Sequence, residues 1–394
     1  MKLVKLKYLC SSFTTPIMQL ELSQEGQYRV YGAGGLAGYK SDYCCDKPYL
    51  GIVKDGAGVG RINQYEPYTS LLGTLSYVIP NKDVDIGWLK YSIMSLDLGN
   101  DVGKTTIPHI YFSEYGNRHI YYVPLSEQQA IADFLDKQCA EIDSVIEQTK
   151  ATIEEYKKLK QSVITEAVTK GIRGDRPMKD SGIEWIGEIP SEWKFIKLKY
   201  CTYIRARLGW KGLKADEYVD EGYPLLSAFN IINSKLDFAE VNYINQFRYD
   251  ESPEIKLAIN DILLVKDGAG IGKCAIVEEL PIPSTPNGSL AVVTITNHLY
   301  PKFLYYYFLS KMFQKYIDRI KDGMGVPHLF QSDLREIEIV ISSMEEQKEI
   351  ADYLDQKCAE IDTLIEKKTA LLEEMETFKK SLIFDYVTGK KEVV

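Results

Sequence analysis

The sequence predicts a mixed α/β (α+β) chain. Two similar globular domains are separated by two long antiparallel helices that form a coiled coil, an internal repeat with a pseudo-twofold axis. Three observations lead there. Residues 127–169 recur without insertion as residues 346–388. Both copies keep apolar residues at three-four spacing, the mark of an amphipathic helix. Short motifs occur in the same order in the stretches that precede the two copies. A period of some two hundred residues is too long for a solenoid.

In chain order, the expected segments are a first globular domain over 1–125, a central helix over 126–170, a polar linker over 171–193, a second globular domain over 194–343 and a terminal helix over 344–390. The first domain opens on the strand-like alternation Lys2-Leu3-Val4-Lys5-Leu6-Lys7, and the second on Lys194-Phe195-Ile196-Lys197-Leu198-Lys199. Further strands are expected at 76–79, 262–265 and 291–295, with helices around 88–97 and 301–320. Val53-Lys54-Asp55-Gly56-Ala57-Gly58 parallels Val265-Lys266-Asp267-Gly268-Ala269-Gly270, and Pro108-His109-Ile110 parallels Pro327-His328-Leu329. Between these anchors, residues 9–52 and 201–264 share almost nothing. A common frame thus carries a surface private to each half.

The first helical seam runs Leu135, Cys139, Ile142, Ile146, Ile153, Tyr156, Val163, Ala167, and the second runs Leu354, Cys358, Ile361, Ile365, Leu372, Met375, Leu382, Tyr386. Thr149 and Lys368 interrupt them at equivalent points, as do Lys160 and Lys379, and polar seam residues of this kind can fix register. Forty-four helical residues span about 66 Å at ~1.5 Å each. A parallel pair would require the linker to run back over that distance, close to the ~70 Å limit of about 20 stretched residues. An antiparallel pair needs no return.

Composition sets outer bounds. The 394 residues suffice for two or three domains, and 45% apolar with 26% charged residues is ordinary for a soluble protein. No apolar run approaches the ~20 residues of a membrane span, and the first residues lack a signal-peptide core. Seven scattered cysteines without a CxxC pair point to a reducing cytoplasm, while a redox role for Cys44-Cys45 stays open. The net charge of −9 is unevenly placed. Nine acids against six lysines in 127–170, and eleven against seven in 346–390, assign −7 of it to the helices. The globular parts are near neutral, so the acidic total does not exclude nucleic acid.

Two glycine-rich stretches invite a nucleotide reading. Gly32-Ala33-Gly34-Gly35-Leu36-Ala37 has a dinucleotide-type spacing, but residues 39–48 beyond it make a poor helix, and the mechanism needs a helix N-terminus at the pyrophosphate. Gly268-Ala269-Gly270-Ile271-Gly272-Lys273 has the wrong spacing for a P-loop. Its glycines, with Gly56 in the first copy, lie between cations: Lys54 and Arg61, Lys266 and Lys273. The turns fit phosphate approach or a strand corner needing positive φ. Residues 194–214 hold Lys194, Lys197, Lys199, Arg205, Arg207, Lys211 and Lys214 without one acid, interleaved with aromatics, a composition suited to DNA. No His/Cys spacing suits zinc and no G-x-S-x-G is present. His109 and His328 read as pins of a turn. Three functions remain: a non-catalytic DNA reader, a coiled-coil scaffold for other proteins, or a nucleotide-dependent enzyme.

The repeated Pro-His turn, the Glu-Gln pair, the Ile-Ala-x-x-Leu-Asp helix and the linker Met178-Lys179-Asp180-Ser181-Gly182-Ile183-Glu184-Trp185-Ile186-Gly187-Glu188-Ile189-Pro190 together resemble the specificity subunits of type I restriction–modification systems. The resemblance covers essentially the whole chain; the first half lacks only the Gly-Glu-Ile-Pro lead-in. It implies that each domain reads one half of a split, asymmetric site in double-stranded DNA. The helices would set the spacer and dock two modification (methyltransferase) subunits, joined by motor-nuclease restriction subunits. Helices marked by Ile131, Leu135, Ile142, Ile146, Ile350, Leu354, Ile361 and Ile365 would form that subunit interface. No cofactor is expected in this chain; S-adenosylmethionine, ATP and Mg2+ would belong to the partners. DNA contacts are expected from Lys54, Gly56, Arg61, Lys197, Lys199, Arg205, Arg207, Lys211, Lys266, Gly268 and Lys273.

Overall fold

The computed structural model describes residues 2–56, 58–99, 108–183, 186–207, 213–214, 217–268, 270–320 and 328–393. The chain divides into two compact units, residues 1–152 with 368–394, and residues 153–367. The cuts fall inside the two long helices rather than at their ends, so each unit owns a part of both.

In unit 1, strands β1 (Lys2–Lys5), β2 (Cys10–Phe13), β3 (Tyr28–Gly32), β4 (Gly35–Lys40), β5 (Tyr49–Val53), β6 (Ile62–Tyr65), β7 (Ser70–Leu71) and β8 (Leu75–Pro80) precede helices α1 (Ile86–Met94) and α2 (Phe112–Tyr115) and strand β9 (His119–Tyr122). The long helix α3 (Leu125–Lys170) comes next. The main sheet has the order β2-β8-β5-β6, a second sheet β4-β3-β7, and β1 pairs with β9. Asp85 starts α1 by accepting a hydrogen bond from the Trp88 amide at 2.8 Å, satisfying an otherwise orphan donor. Trp88, Leu89 and Ile93 then bury against Ile131, Leu135, Cys139 and Ile142 of α3.

Unit 2 begins with the end of α3 and the linker. A hairpin, β10 (Met178–Asp180) and β11 (Glu188–Pro190), leads to β12 (Lys194–Lys197), β13 (Thr202–Arg205), β14 (Tyr218–Val219), β15 (Tyr223–Leu226), β16 (Ile231–Ile232), β17 (Lys235–Leu236) and β18 (Asn242–Ile244). Then come α4 (Gln246–Asp250), β19 (Ile262–Val265), β20 (Cys274–Ile276), β21 (Thr285–Pro286), β22 (Leu290–Ile295), α5 (Pro301–Leu309), α6 (Lys311–Ile320), α7 (Gln331–Glu336), β23 (Glu338–Ile341) and α8 (Met344–Val387). The expected helix over 301–320 is broken at Ser310, whose extended backbone ends α5 and whose hydroxyl caps α6 by accepting from the Phe313 amide.

The sheet order β13-β22-β19-β20 repeats that of unit 1. The likeness reaches into the stretches that share no sequence. Parallel pair β3–β7 joins Val30 to Ser70 and Tyr31 to Leu71; β15–β21 joins Leu225 to Thr285 and Leu226 to Pro286. The backbone pairing is kept where residue identity is lost, so the expected common frame extends into these stretches while their residues stay private to each half.

The helices pair in opposite directions within each unit. In unit 1 the Lys379 ammonium meets Asp143 at 2.6 Å, and Phe134 packs on Tyr386. In unit 2 Lys160 meets Asp362 at 2.6 Å, and Arg173 meets Glu349 at 2.6 Å. Lys160 and Lys379, equivalent interruptions of the two seams, are thus paired across them by acids that are themselves repeat equivalents. The linker is not a free polar tether. Trp193 is fully buried, its indole N–H donates to Glu346 at 3.0 Å, and Arg176 reaches the same carboxylate at 2.6 Å. No helix among the described residues is long and apolar enough to cross a membrane.

Candidate nucleic-acid interface

In each unit the glycine-rich turn and the Pro-His turn are built into one edge. Gly56 has φ +87° and Gly60 +83°; Gly268 has +84° and Gly272 +86°. These are left-handed backbones that glycine adopts without a Cβ clash. The turns join β5 to β6 and β19 to β20, both antiparallel pairs. Among the described residues the glycines turn one antiparallel strand into the next, a strand corner and not the strand-to-helix turn of a nucleotide cradle. Several of their amides are engaged internally: Gly60 donates to Val53 at 2.9 Å and Gly272 to Val265 at 3.0 Å. Gly56 donates to the Pro108 carbonyl at 3.1 Å, which ties the two turns together. The other glycine-rich stretch, 32–35, is the tight turn of the β3–β4 hairpin.

Asp55 and His109 form an isolated β-bridge, as do Asp267 and His328. In both units the histidine Nδ1 contacts the aspartate carboxylate. The Ile110 amide donates to Lys54 at 3.1 Å and the Leu329 amide to Lys266 at 2.8 Å. The histidines do pin the turn, and they place an exposed aromatic beside it: Tyr111 against His109, Phe330 against His328. Sequence reasoning passed over these aromatics, although they occupy equivalent positions after the Pro-His motif.

The cations divide into distinct environments. Arg61 is exposed and lies over Gly58, where a Cβ would collide with its guanidinium. Lys273 is exposed in the second copy. Lys54 lies 3.6 Å from Asp55 and Lys266 2.6 Å from Asp267. Lys197 and Lys199 share Glu336 at 2.9 and 2.6 Å, an acid far along the chain that neutralises part of the basic run. Arg205 does not face outward as expected. Its guanidinium donates to Asp261 at 2.8 Å, to the Lys256 carbonyl at 3.2 Å and to the Thr294 hydroxyl, and the Asp261 side chain is 1% exposed. This is an internal ion pair, and it takes Arg205 out of the expected outward-facing cations. Arg207 is half-buried, with Nε and one terminal nitrogen shielded and without a partner among the described residues. Lys211 lies outside the described residues.

The residues expected to mark a subunit interface are also placed differently. Ile131, Leu135, Ile142 and Ile146 are buried in the core of unit 1. Ile350 and Leu354 are buried in the core of unit 2, Ile361 is buried, and Ile365 is half-buried. An apolar three-four stripe cannot distinguish burial against its own chain from burial against a partner, and here the chain itself covers it. A docking surface on these helices has to use their other faces.

Two side chains that sequence reasoning took only as markers of the repeat hold each globular domain on its helix. Gln128 is fully buried; it accepts from the Asp85 amide at 2.8 Å and donates to the Val123 carbonyl at 2.8 Å. Gln347 is likewise buried; it accepts from the Tyr300 amide at 2.9 Å and donates to the His298 and Ser342 carbonyls at 3.0 Å. Asp136 receives Lys90 and the Tyr91 hydroxyl at 2.7 and 2.6 Å. Asp355 receives Lys302 and the Tyr306 hydroxyl at 2.6 and 2.7 Å. Burial alone would raise the Asp136 carboxyl, but the bonds from Lys90 and Tyr91 and the lysine charge outweigh it and hold it below the ordinary carboxylate value. Among the described residues no group of three or more His, Cys, Asp or Glu is arranged to hold a metal ion.

The family model of the type I restriction modification DNA specificity domain matches residues 1–155 and 190–374. The MjaVIII type I restriction enzyme specificity subunit of Methanocaldococcus jannaschii is 28% identical over 353 residues, 87% of this chain and 79% of that protein. The EcoBI specificity subunit of Escherichia coli is 24% identical over 301 residues, 74% of this chain and 62% of that protein. A solved structure from work on complex assembly and conformational transition of the type I R-M system aligns with TM-score 0.71 at 14% identity, covering 99% of this chain and 98% of that one. That last likeness is one of fold.

Proposed function

Since this chain belongs to the type I restriction modification DNA specificity family, we propose that it is the subunit that reads DNA sequence for a type I restriction–modification complex and performs no chemistry itself. Each recognition unit reads one half of a split, asymmetric double-stranded site. The observation that carries this reading is the paired edge: the same Lys–Asp–His set recurs in both units with exposed Arg61 and Lys273 at equivalent places, while residues 9–52 and 201–264 between the shared anchors share almost no sequence. A repeated frame that carries cations suits the phosphate backbone, which is the same everywhere, and divergent intervening stretches suit two different half-sites. The long helices hold the half-sites at a set spacing and dock modification subunits. S-adenosylmethionine, ATP and Mg2+ serve the partner subunits in this scheme. The reaction expected of the assembly is methylation or cleavage of DNA, with this chain choosing the address.

The test is reconstitution with the modification subunits encoded in the same host. Duplex binding should require the assembly, and sequencing of methylated genomic DNA should give two unlike half-sites divided by a spacer of fixed length and free sequence. A continuous motif, or a purified chain that methylates or cuts duplex alone, would overturn the reading.

A further inference from the structure

The shared frame makes it possible to ask what each unit places at one and the same position. The Asn287 amide donates to the Leu226 carbonyl at 2.7 Å, and the Lys266 amide donates to the Ser289 carbonyl at 2.9 Å. These bonds run in sequence from the end of β15, through the 287–289 turn, to the cationic glycine corner. In unit 1 the Leu72 amide donates to the Tyr31 carbonyl at 2.9 Å, and the Lys54 amide to the Thr74 carbonyl at 3.0 Å. The turn after Leu226 therefore holds the same place as the one after Tyr31, and both lie on the edge already described.

Their contents differ. After Tyr31 come Gly32-Ala33-Gly34-Gly35, and a Cβ at Gly34 would point into open space. After Leu226 come Ser227-Ala228-Phe229-Asn230, and Phe229 is 91% exposed. The turn that carries it is rigid. The Ser227 hydroxyl accepts from the Phe229 amide at 3.3 Å, and the Ser227 amide donates to the Asn230 side chain at 2.9 Å. The buried Asn230 amide group donates to the Asp237 and Glu240 carbonyls at 3.3 and 2.9 Å. Leu226 and Ile231 on either side are buried in the core that also holds Val265, the residue before Lys266. A large aromatic locked in water on a fixed turn forgoes the stabilisation that burial would bring, which makes such a residue informative.

We propose that Phe229 is a specificity-determining residue of the second half-site, stacking on or wedging into a base step, and that the glycine turn presents bare backbone at the equivalent position of the first. This rests on the DNA-reading function proposed above. The choice of DNA over a protein partner comes from the asymmetry. A subunit type that docks on both halves would need a surface common to both, whereas this position is private. Aromatic wedges and stacking platforms act on bases in this way, and the exposed Lys273 on the same edge supplies charge for the adjoining phosphates.

The experiment uses the chain assembled with its modification subunits and duplexes carrying the methylated motif found in genomic DNA. Phe229→Ala should lower affinity for the full site by about 5- to 150-fold, the range for one lost base–aromatic stack. It should relax discrimination at the second half-site only and leave affinity for unrelated duplex unchanged. Phe229→Trp should retain discrimination. Thermal midpoint and subunit stoichiometry should match wild type, because the side chain supports no core. A Phe229→Ala assembly as tight and as selective as wild type overturns the proposal while leaving the DNA-reading function intact. An equal loss on unrelated duplex overturns it as well, since that marks a backbone contact. Loss of assembly overturns it in favour of a protein contact. A wild-type assembly with no sequence preference sinks both this proposal and the reading beneath it.

Discussion

Arg205 and Lys273 carry the same formal charge and meet opposite fates, and experiment can separate them. Arg205 is held by Asp261, 56 residues along the chain, whose carboxylate is almost wholly sealed from water. Removing one partner of a buried pair strands the other charge, at a cost of roughly 3–5 kcal/mol. Arg205→Ala should therefore lower the unfolding free energy obtained from denaturant titration by an amount of that size. A variant with wild-type stability and altered DNA selectivity would reverse the assignment. Lys273 is exposed, so Lys273→Ala should leave stability unchanged and weaken binding to all duplexes alike. The slope of log K against log salt should fall by about 0.9, one phosphate contact. The basic run 194–214 was legible as charge; its use was not. Glu336 and Asp261 pair with it through folding, and no local pattern announces a partner that arrives from another strand or helix.

Elements were more legible than sites because their signals are local. The three-four spacing gave both long helices to within a few residues, and the strands at 76–79, 262–265 and 291–295 fall within β8, β19 and β22. What periodicity could not tell is which body a helix packs on, and here the repeated Asp is decisive. Asp136 ties α1 to α3, and Asp355 ties α5 to α8, although Lys90 and Lys302 come from unmatched positions of the two short helices. The contact, not the lysine position, is what the repeat preserves. Its pH dependence comes from the depressed Asp136 carboxyl. A carboxyl that titrates below its unfolded value near 3.8 contributes fully above that value, and loses its contribution as pH falls through the lower folded one. Asp136→Asn should thus be less stable than wild type at pH 7, by about 0.5 kcal/mol because the carboxylate is half in water. The two proteins should converge as pH falls through the folded-state value. Urea titrations at pH 7 and in acid measure this, and a difference that persists or grows in acid would contradict it.

At the scale of the molecule, both long helices are continuous through the points where the units divide, so helix length is the covalent link between two readers. The repeated Lys–Asp pairs bring residues 143 and 379, and residues 160 and 362, side by side, and this sets which positions must change together. One heptad inserted after Thr149, with a second inserted at the facing position near Leu372, keeps the apolar seam in phase and preserves both ion pairs. Each helix then gains about 10.5 Å at ~1.5 Å per residue. At ~3.4 Å per base pair that corresponds to roughly three more base pairs of duplex. Neither recognition edge is touched, so methylation mapping in cells carrying the double insertion should return the same two half-sites with a longer spacer. A heptad in one helix alone shifts one lysine away from its aspartate and should destabilise the chain instead. Should the double insertion leave the spacer unaltered, or change the half-sites themselves, helix length would not be what measures the distance.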